Sequence, residues 1–168
     1  ISAYLKRAGF SVEIYDSTFG SKQELFAKLA AGPAGVVGIY TNLMTRGNIV
    51  EVMAAAKRHG WQVVCGGPES ANYTEQYLAH GADVVVIGEG EATIAELLPV
   101  LAKSGPHRLH GVAGTAFIDE HGQLVTNIER PQIADIDSLP WPDREAIPLQ
   151  KYINVWRTHH GMGSVNLI

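Results

Sequence analysis

The 168-residue chain predicts an α/β fold: a parallel sheet with helices on both faces, followed by a small β-hairpin and an extended connector. Three observations carry this. Short apolar runs alternate with amphipathic segments of helical length up to about Gly105, the rhythm of right-handed crossovers between parallel strands. Two of the runs, "AGVVGIY" and "DVVVIG", are apolar nearly throughout, as expected of strands covered on both faces. Glycines close the helices and follow the strands, where a left-handed terminus or a tight turn is cheapest without a side chain.

The elements follow in order. "ISAYLKRAG" reads as a helix ended by Gly9. "FSVEIYD", residues 10–16, alternates like a strand, and "SKQELFAKLAAG" sets Leu25, Phe26 and Leu29 at helical spacing. Strand "AGVVGIY", helix "NIVEVMAAAKRHG", strand "WQVVCGG", helix "ESANYTEQYLAHG", strand "DVVVIG" and helix "EATIAELLPVLAKSG" complete the alternation. In the last helix Thr93 and Glu96 have the spacing of a capping box. Such folds usually start on a central strand, so a strand and its loop are expected upstream of Ile1. Residues 1–105 are thus expected to form the main domain.

Residues 106–130 read as a hairpin extension with Glu120, His121 and Gly122 at its tip. Residues 131–168 are expected to be a connector, because "RPQIADIDSLPWPDREAIPLQKYI" holds four of the eight prolines and little periodicity. Trp141, Pro142, Asp143 and Arg144 are expected to pin that connector to a neighbouring domain, and "GSVNLI" resembles the opening of a further strand.

Composition narrows the function classes. Apolar residues make up 46% and charged residues 18%, a globular balance. The net charge of −4, with no run of Lys or Arg, argues against nucleic acid as the main partner. No apolar run is long enough to span a membrane and no signal peptide is visible, so the expected location is cytoplasmic. Cys65 stands alone, which leaves no disulfide framework and no cysteine-built metal site, and its place in a strand suits a buried, inert thiol. His159 and His160 are adjacent and lack a third ligand in reach, which favours a solvated or packing role over a metal. No Ser–His–acid set or carboxylate pair stands out.

The candidate site lies at the strand ends, since open parallel sheets bind ligands beyond the carboxyl ends of their strands. Thr41, Asn42, Leu43 and Thr45 follow the first long apolar run; Gly66, Gly67 and Pro68 follow the second; Gly88, Glu89, Gly90 and Glu91 follow the third. Glycines there serve either tight turns or close approach of a ligand, and both readings stay open. A nicotinamide dinucleotide fits poorly. It wants G-x-G-x-x-G after the first strand, whereas "GEGEAT" follows a late strand, has Thr93 in the third glycine's place, and sets Glu89 and Glu91 where phosphates would lie. Those carboxylates suit a helix N-terminus or sugar hydroxyls better.

Taken together, "VVGIYTNLMT", "VVCGGPES", "GADVVVIGEGEATIAELL", "GVAGTAFIDEHGQ" and "IADIDSLPWPDREAI" give the chain a family resemblance. Over nearly its whole length it resembles the cobalamin (vitamin B12)-binding domain of cobalamin-dependent radical S-adenosylmethionine proteins. The anaerobic magnesium-protoporphyrin IX monomethyl ester cyclase and several methyltransferases belong to that group. The resemblance implies a Rossmann-like (flavodoxin-like) fold in which the cobalamin's nucleotide tail threads into the sheet edge. Thr41 and Leu43 match an S-x-L position lining the tail pocket, with threonine for serine, and Thr45 adds a nearby hydroxyl. Gly66 and Gly67 match paired glycines that let the tail pass, and Gly88 to Glu91 match a G-E-G-E turn beside the pocket.

Two departures matter. The D-x-H-x-x-G motif, whose histidine ligates cobalt in methionine-synthase-type domains, is absent: "DSTFGS" lacks the histidine, and the first histidine is His59. The C-x-x-x-C-x-x-C motif that holds a [4Fe-4S] cluster is absent too; in relatives it follows a strand like "SVNLI". The resemblance therefore implies cobalamin as the small-molecule cofactor here, with S-adenosylmethionine and the cluster held by a missing C-terminal radical SAM domain. The parent reaction would be methyl transfer or oxidative cyclisation, a tetrapyrrole being one substrate suggested, and this chain alone would not perform it. The alternative is a non-catalytic Rossmann-like interaction or dimerisation domain that has lost its ligand. A nucleotide- or flavin-using enzyme is third.

Overall fold

The computed structural model describes residues 1–164. Along the chain run α1 (Ser2–Arg7), α2 (Lys22–Ala31), β1 (Val36–Tyr40), a 3-10 turn at Leu43–Thr45, α3 (Arg46–Arg58), β2 (Gln62–Gly66), α4 (Pro68–Asn72) and α5 (Thr74–Ala79). There follow β3 (Val84–Val86), α6 (Gly90–Ser104), β4 (Thr115–Ile118), β5 (Leu124–Thr126), 3-10 turns at Ile136–Ser138 and Arg144–Ala146, and α7 (Leu149–His160). Two units result: Ser21–Ala134, and Ile1–Gly20 together with the residues from Asp135 onward.

In the Ser21–Ala134 unit the five strands lie in the order β1-β2-β3-β4-β5. β1, β2 and β3 are parallel, with Ile39 opposite Cys65 and Cys65 opposite Val85. β4 pairs antiparallel with β3 and with β5, so four of the five strands point one way. The alternation of side chains along a strand divides the core in two. Val63, Cys65 and Val85 face α2, α3 and α5, where Leu29, Met53, Ala56, Tyr77 and Leu78 are buried. Val64, Val84 and Val86 face α6, against Leu97 and Leu101, with Phe117 from β4. Two successive right-handed crossovers in one direction put α3 and α5 on the same face; the chain then reverses into β4 and α6 covers the other. Phe117, Met53, Leu97 and Leu101 have no more than 1% of their surface exposed, and burying such a side chain contributes about 2 kcal/mol. The α/β, Rossmann-like expectation is met, with a mixed sheet in place of a wholly parallel one.

The start of α2 shows how the local sequence sets a boundary. Ser21 Oγ accepts from the Glu24 N–H at 3.1 Å, and the Ser21 N–H donates to Glu24 Oε2 at 2.7 Å, a reciprocal capping box. The Thr93–Glu96 spacing does not form one: α6 already begins at Gly90, and both side chains instead receive Arg130.

The other unit pairs the two ends of the chain. Ser2 and Lys6 of α1 both hold Asp143, the lysine at 2.6 Å, and together they keep that carboxyl below its usual range. Arg7 donates to the Ser138 carbonyl at 2.7 Å. The Tyr152 hydroxyl donates to Asp16 at 2.6 Å, and its ring meets Phe19 edge-on at 4.7 Å.

Several expected elements change. Residues 10–16 form no strand; their exposure still alternates at Ser11–Ile14, but no described strand lies alongside to complete a ladder. β1 is an edge strand with Gly38 and Tyr40 exposed, so it is not covered on both faces. The helix expected from Glu69 to Gly81 breaks at Tyr73, where the Thr74 hydroxyl takes the Ser70 and Ala71 carbonyls. The connector contains the 12-residue helix α7, whose period lay hidden between prolines and polar residues. Trp141 is 82% exposed. The strand suggested by "GSVNLI" falls largely on residues 165–168, outside the described residues.

Candidate functional site

The carboxyl ends of β1, β2 and β3 bring three turns to one edge of the sheet. The first two are tied to each other. The Thr41 N–H donates to the Gly66 carbonyl at 2.7 Å, extending the β1–β2 ladder past Tyr40. The Thr41 hydroxyl, fully buried, accepts from the Ser70 N–H at 2.9 Å and lies 3.0 Å from the Gly66 carbonyl and 2.9 Å from the Ser70 hydroxyl. It therefore serves the joint between the turns. Thr45 is turned inward as well: its N–H and hydroxyl both reach Asn42 Oδ1 at 3.1 Å, which makes Asn42 the cap of the Leu43–Thr45 turn.

The paired glycines differ from one another. Gly67 has φ +107°, and a Cβ there would lie 2.5 Å from the Thr41 carbonyl oxygen and 3.0 Å from the Tyr40 ring. The chain itself demands this glycine. Gly66 has ordinary backbone angles, and a Cβ on it would meet only Val86 Cβ, at 3.9 Å. By strand alternation Gly66 faces the same way as Val64, toward α6. Its missing side chain leaves room for at least a Cβ on that face, with no atom nearer than 3.9 Å. A Cβ on Gly88 would also meet nothing within 4 Å.

The surface around this edge is apolar. Tyr40, Leu43 and Met44 are 70%, 68% and 90% exposed. Pro68 opens α4 and Gly90 opens α6, with Glu89 at its N-cap and Glu91 in its first turn. The third turn is tied elsewhere: the Ile87 N–H donates to Gly114, and Arg130 donates through Nε to Thr93 at 2.7 Å and also reaches Glu96 and the Ala113 carbonyl.

Sequence reasoning missed Arg46 and Glu69. Glu69 is 7% exposed and accepts from Arg46 Nε at 2.5 Å and from a terminal guanidinium nitrogen. That bond to Glu69 raises the arginine's pKa. The guanidinium also lies 4.7 Å over the Tyr73 ring. A signal existed: Arg46 is the first residue of α3, a cation at the positive end of a helix, and such a placement needs a nearby anion.

On the opposite face of the sheet from Gly66, a cavity of about 300 Å³ lies between α3 and α5 and is lined by Val50, Met53, Tyr73 and Tyr77 among others. Burial raises the Tyr77 hydroxyl's pKa. Cys65 is wholly buried beside Met53, Sγ to Sδ 3.5 Å, and burial pushes its thiol up to about 12. His160 packs on Trp156 at 4.2 Å, and among the described residues no three His, Cys, Asp or Glu could together hold a metal ion.

These features give the edge exposed apolar side chains beside glycines, Gly66 and Gly88, whose missing side chains nothing crowds. They offer no imidazole or thiolate, since 40–45, 66–70 and 87–91 contain neither His nor Cys. Over 140 residues the chain is 29% identical to an uncharacterized methyltransferase of Pyrococcus horikoshii, covering 82% of this chain and 29% of that protein. Its fold is shared with the cobalamin-dependent S-adenosylmethionine radical enzyme OxsB, solved with aqua-cobalamin and S-adenosylmethionine bound: TM-score 0.68, 20% identity, 78% of this chain and 19% of that one. A second structure of that enzyme, with aqua-cobalamin bound, matches at TM-score 0.68 and 21% identity, again over 78% of this chain and 19% of that one. The chain thus spans less than a third of the length of the methyltransferase and of the radical enzyme. Residues 1–98 match the B12 binding domain model, and the chain belongs to the B12-binding domain family.

Proposed function

We propose that this chain binds cobalamin at the carboxyl edge of β1, β2 and β3, as the N-terminal domain of a cytoplasmic radical S-adenosylmethionine enzyme. The observation that carries the reading is the unfilled space beside Gly66 on the α6 face, next to an exposed apolar edge. In this proposal the nucleotide tail enters past Gly66, Gly88 and the first turn of α6. Tyr40, Leu43 and Met44 give the corrin an apolar floor. Thr41, Asn42, Thr45, Gly67 and Pro68 hold the two turns in shape, and Glu89, Gly90 and Glu91 border the entrance. When bound, cobalamin supplies a cobalt centre able to carry a methyl group or exchange electrons.

The S-adenosylmethionine and [4Fe-4S] sites belong, on this reading, to a radical SAM domain beyond this chain. Resemblance to a methyltransferase favours methyl transfer over oxidative cyclisation, and a tetrapyrrole remains one substrate class to assay. Incubation with hydroxocobalamin, desalting and a visible spectrum test the proposal. A red corrinoid should co-elute with the protein and show base-off features, because these turns carry no histidine. A colourless protein fraction would reject the proposal and favour the interaction-domain alternative.

A further inference from the structure

We propose that Arg46 and Glu69 form a positioning pair that sets the width of the strand-edge site; the inference rests on the cobalamin reading. Each residue stands directly behind one of the two turns. Arg46 opens α3 just after the Asn42-capped turn, and Glu69 lies in the first turn of α4 just after Gly66, Gly67 and Pro68. Their contact bridges 23 positions of sequence. The carboxylate is almost buried while the guanidinium is half exposed, so this is no ordinary surface pair. Removing either partner would leave the other charge uncompensated.

The geometry favours positioning over general stability. Both oriented nitrogens of the arginine converge on one carboxylate oxygen, and Tyr73 covers the guanidinium face. A planar donor held in that way resists rotation as well as separation. Next to it, Thr41 joins Gly66 and Ser70, but those bonds lie on the strand side of the turns. Among the described residues, the Arg46–Glu69 ion pair ties the first turn of α3 to that of α4 behind them. Without it, the Leu43–Thr45 turn can swing on its backbone while the sheet stays intact.

The experiment compares hydroxocobalamin release from the wild-type chain, Arg46→Ala and Arg46→Lys, together with amide hydrogen exchange and melting. Arg46→Ala is expected to release the corrinoid about tenfold faster, equivalent to about 1.4 kcal/mol. Arg46→Lys, which keeps the charge and loses the planar fork, should fall between. Exchange at the Thr45 and Ser70 amides should quicken while Val64 and Val85 stay protected. Equal release rates in all three proteins would overturn the proposal, as would unchanged exchange at Thr45 and Ser70. If the wild-type chain retains no corrinoid, the cofactor reading fails, and the exchange data alone then decide whether the pair holds the turns. Should Arg46→Ala not fold, Arg46→Lys serves for both measurements.

Discussion

The turns after β1 and β2 and the turn after β3 face the same edge of the sheet yet are supported in different ways. The first two lean on each other, through Thr41, Ser70, Gly66 and the Arg46–Glu69 pair. The third leans on the hairpin, through Gly114 and Arg130. The space beside Gly66 and Gly88 lies at the boundary between these two supports. A site assembled from separately braced halves can be loosened on one side with the other intact.

Substitutions should separate the two halves. The largest effect is expected at Gly67→Ala, which combines a positive φ with a Cβ 2.5 Å from the Thr41 carbonyl oxygen. About 3 kcal/mol of stability should be lost, measured by urea unfolding, with the damage centred on the first two turns. Arg130→Ala should cost about 2 kcal/mol by removing the tie between α6 and the hairpin. Its exchange signature should appear at Ile87 and Gly114 and spare Thr45. Thr41→Val keeps the shape but leaves the buried Ser70 N–H without its acceptor. It should cost about 1.5 kcal/mol and loosen the first two turns only. Identical exchange patterns for Arg130→Ala and Thr41→Val would contradict the division into halves.

Much of this was legible in the sequence. The alternation of runs located β1, β2, β3 and the helices between them, because a buried parallel strand must be apolar on both faces, and β2 and β3 are. β1 misled for the same reason: its run is as apolar as theirs, yet it is an edge strand whose Tyr40 faces solvent. The three strand-end turns were located as well, since glycines and small polar residues mark them. The distinction between Gly66 and Gly67 was not. Adjacent identical residues differ only in backbone angle and in what surrounds them, and neither is written in composition. The position of Arg46 hinted at an anion nearby, but which residues Arg46, Glu69 and Arg130 hold was not legible, because those partners lie 23 to 37 residues away.

The contrast between the two glycines gives the most direct test of cobalamin binding at this edge. Gly66→Leu should melt close to the wild-type temperature, because nothing crowds its Cβ, and yet lose hydroxocobalamin on a desalting column that the wild-type chain passes still red. A Gly66→Leu protein that holds the corrinoid as firmly as wild type would show that the space beside Gly66 is not where the arm enters.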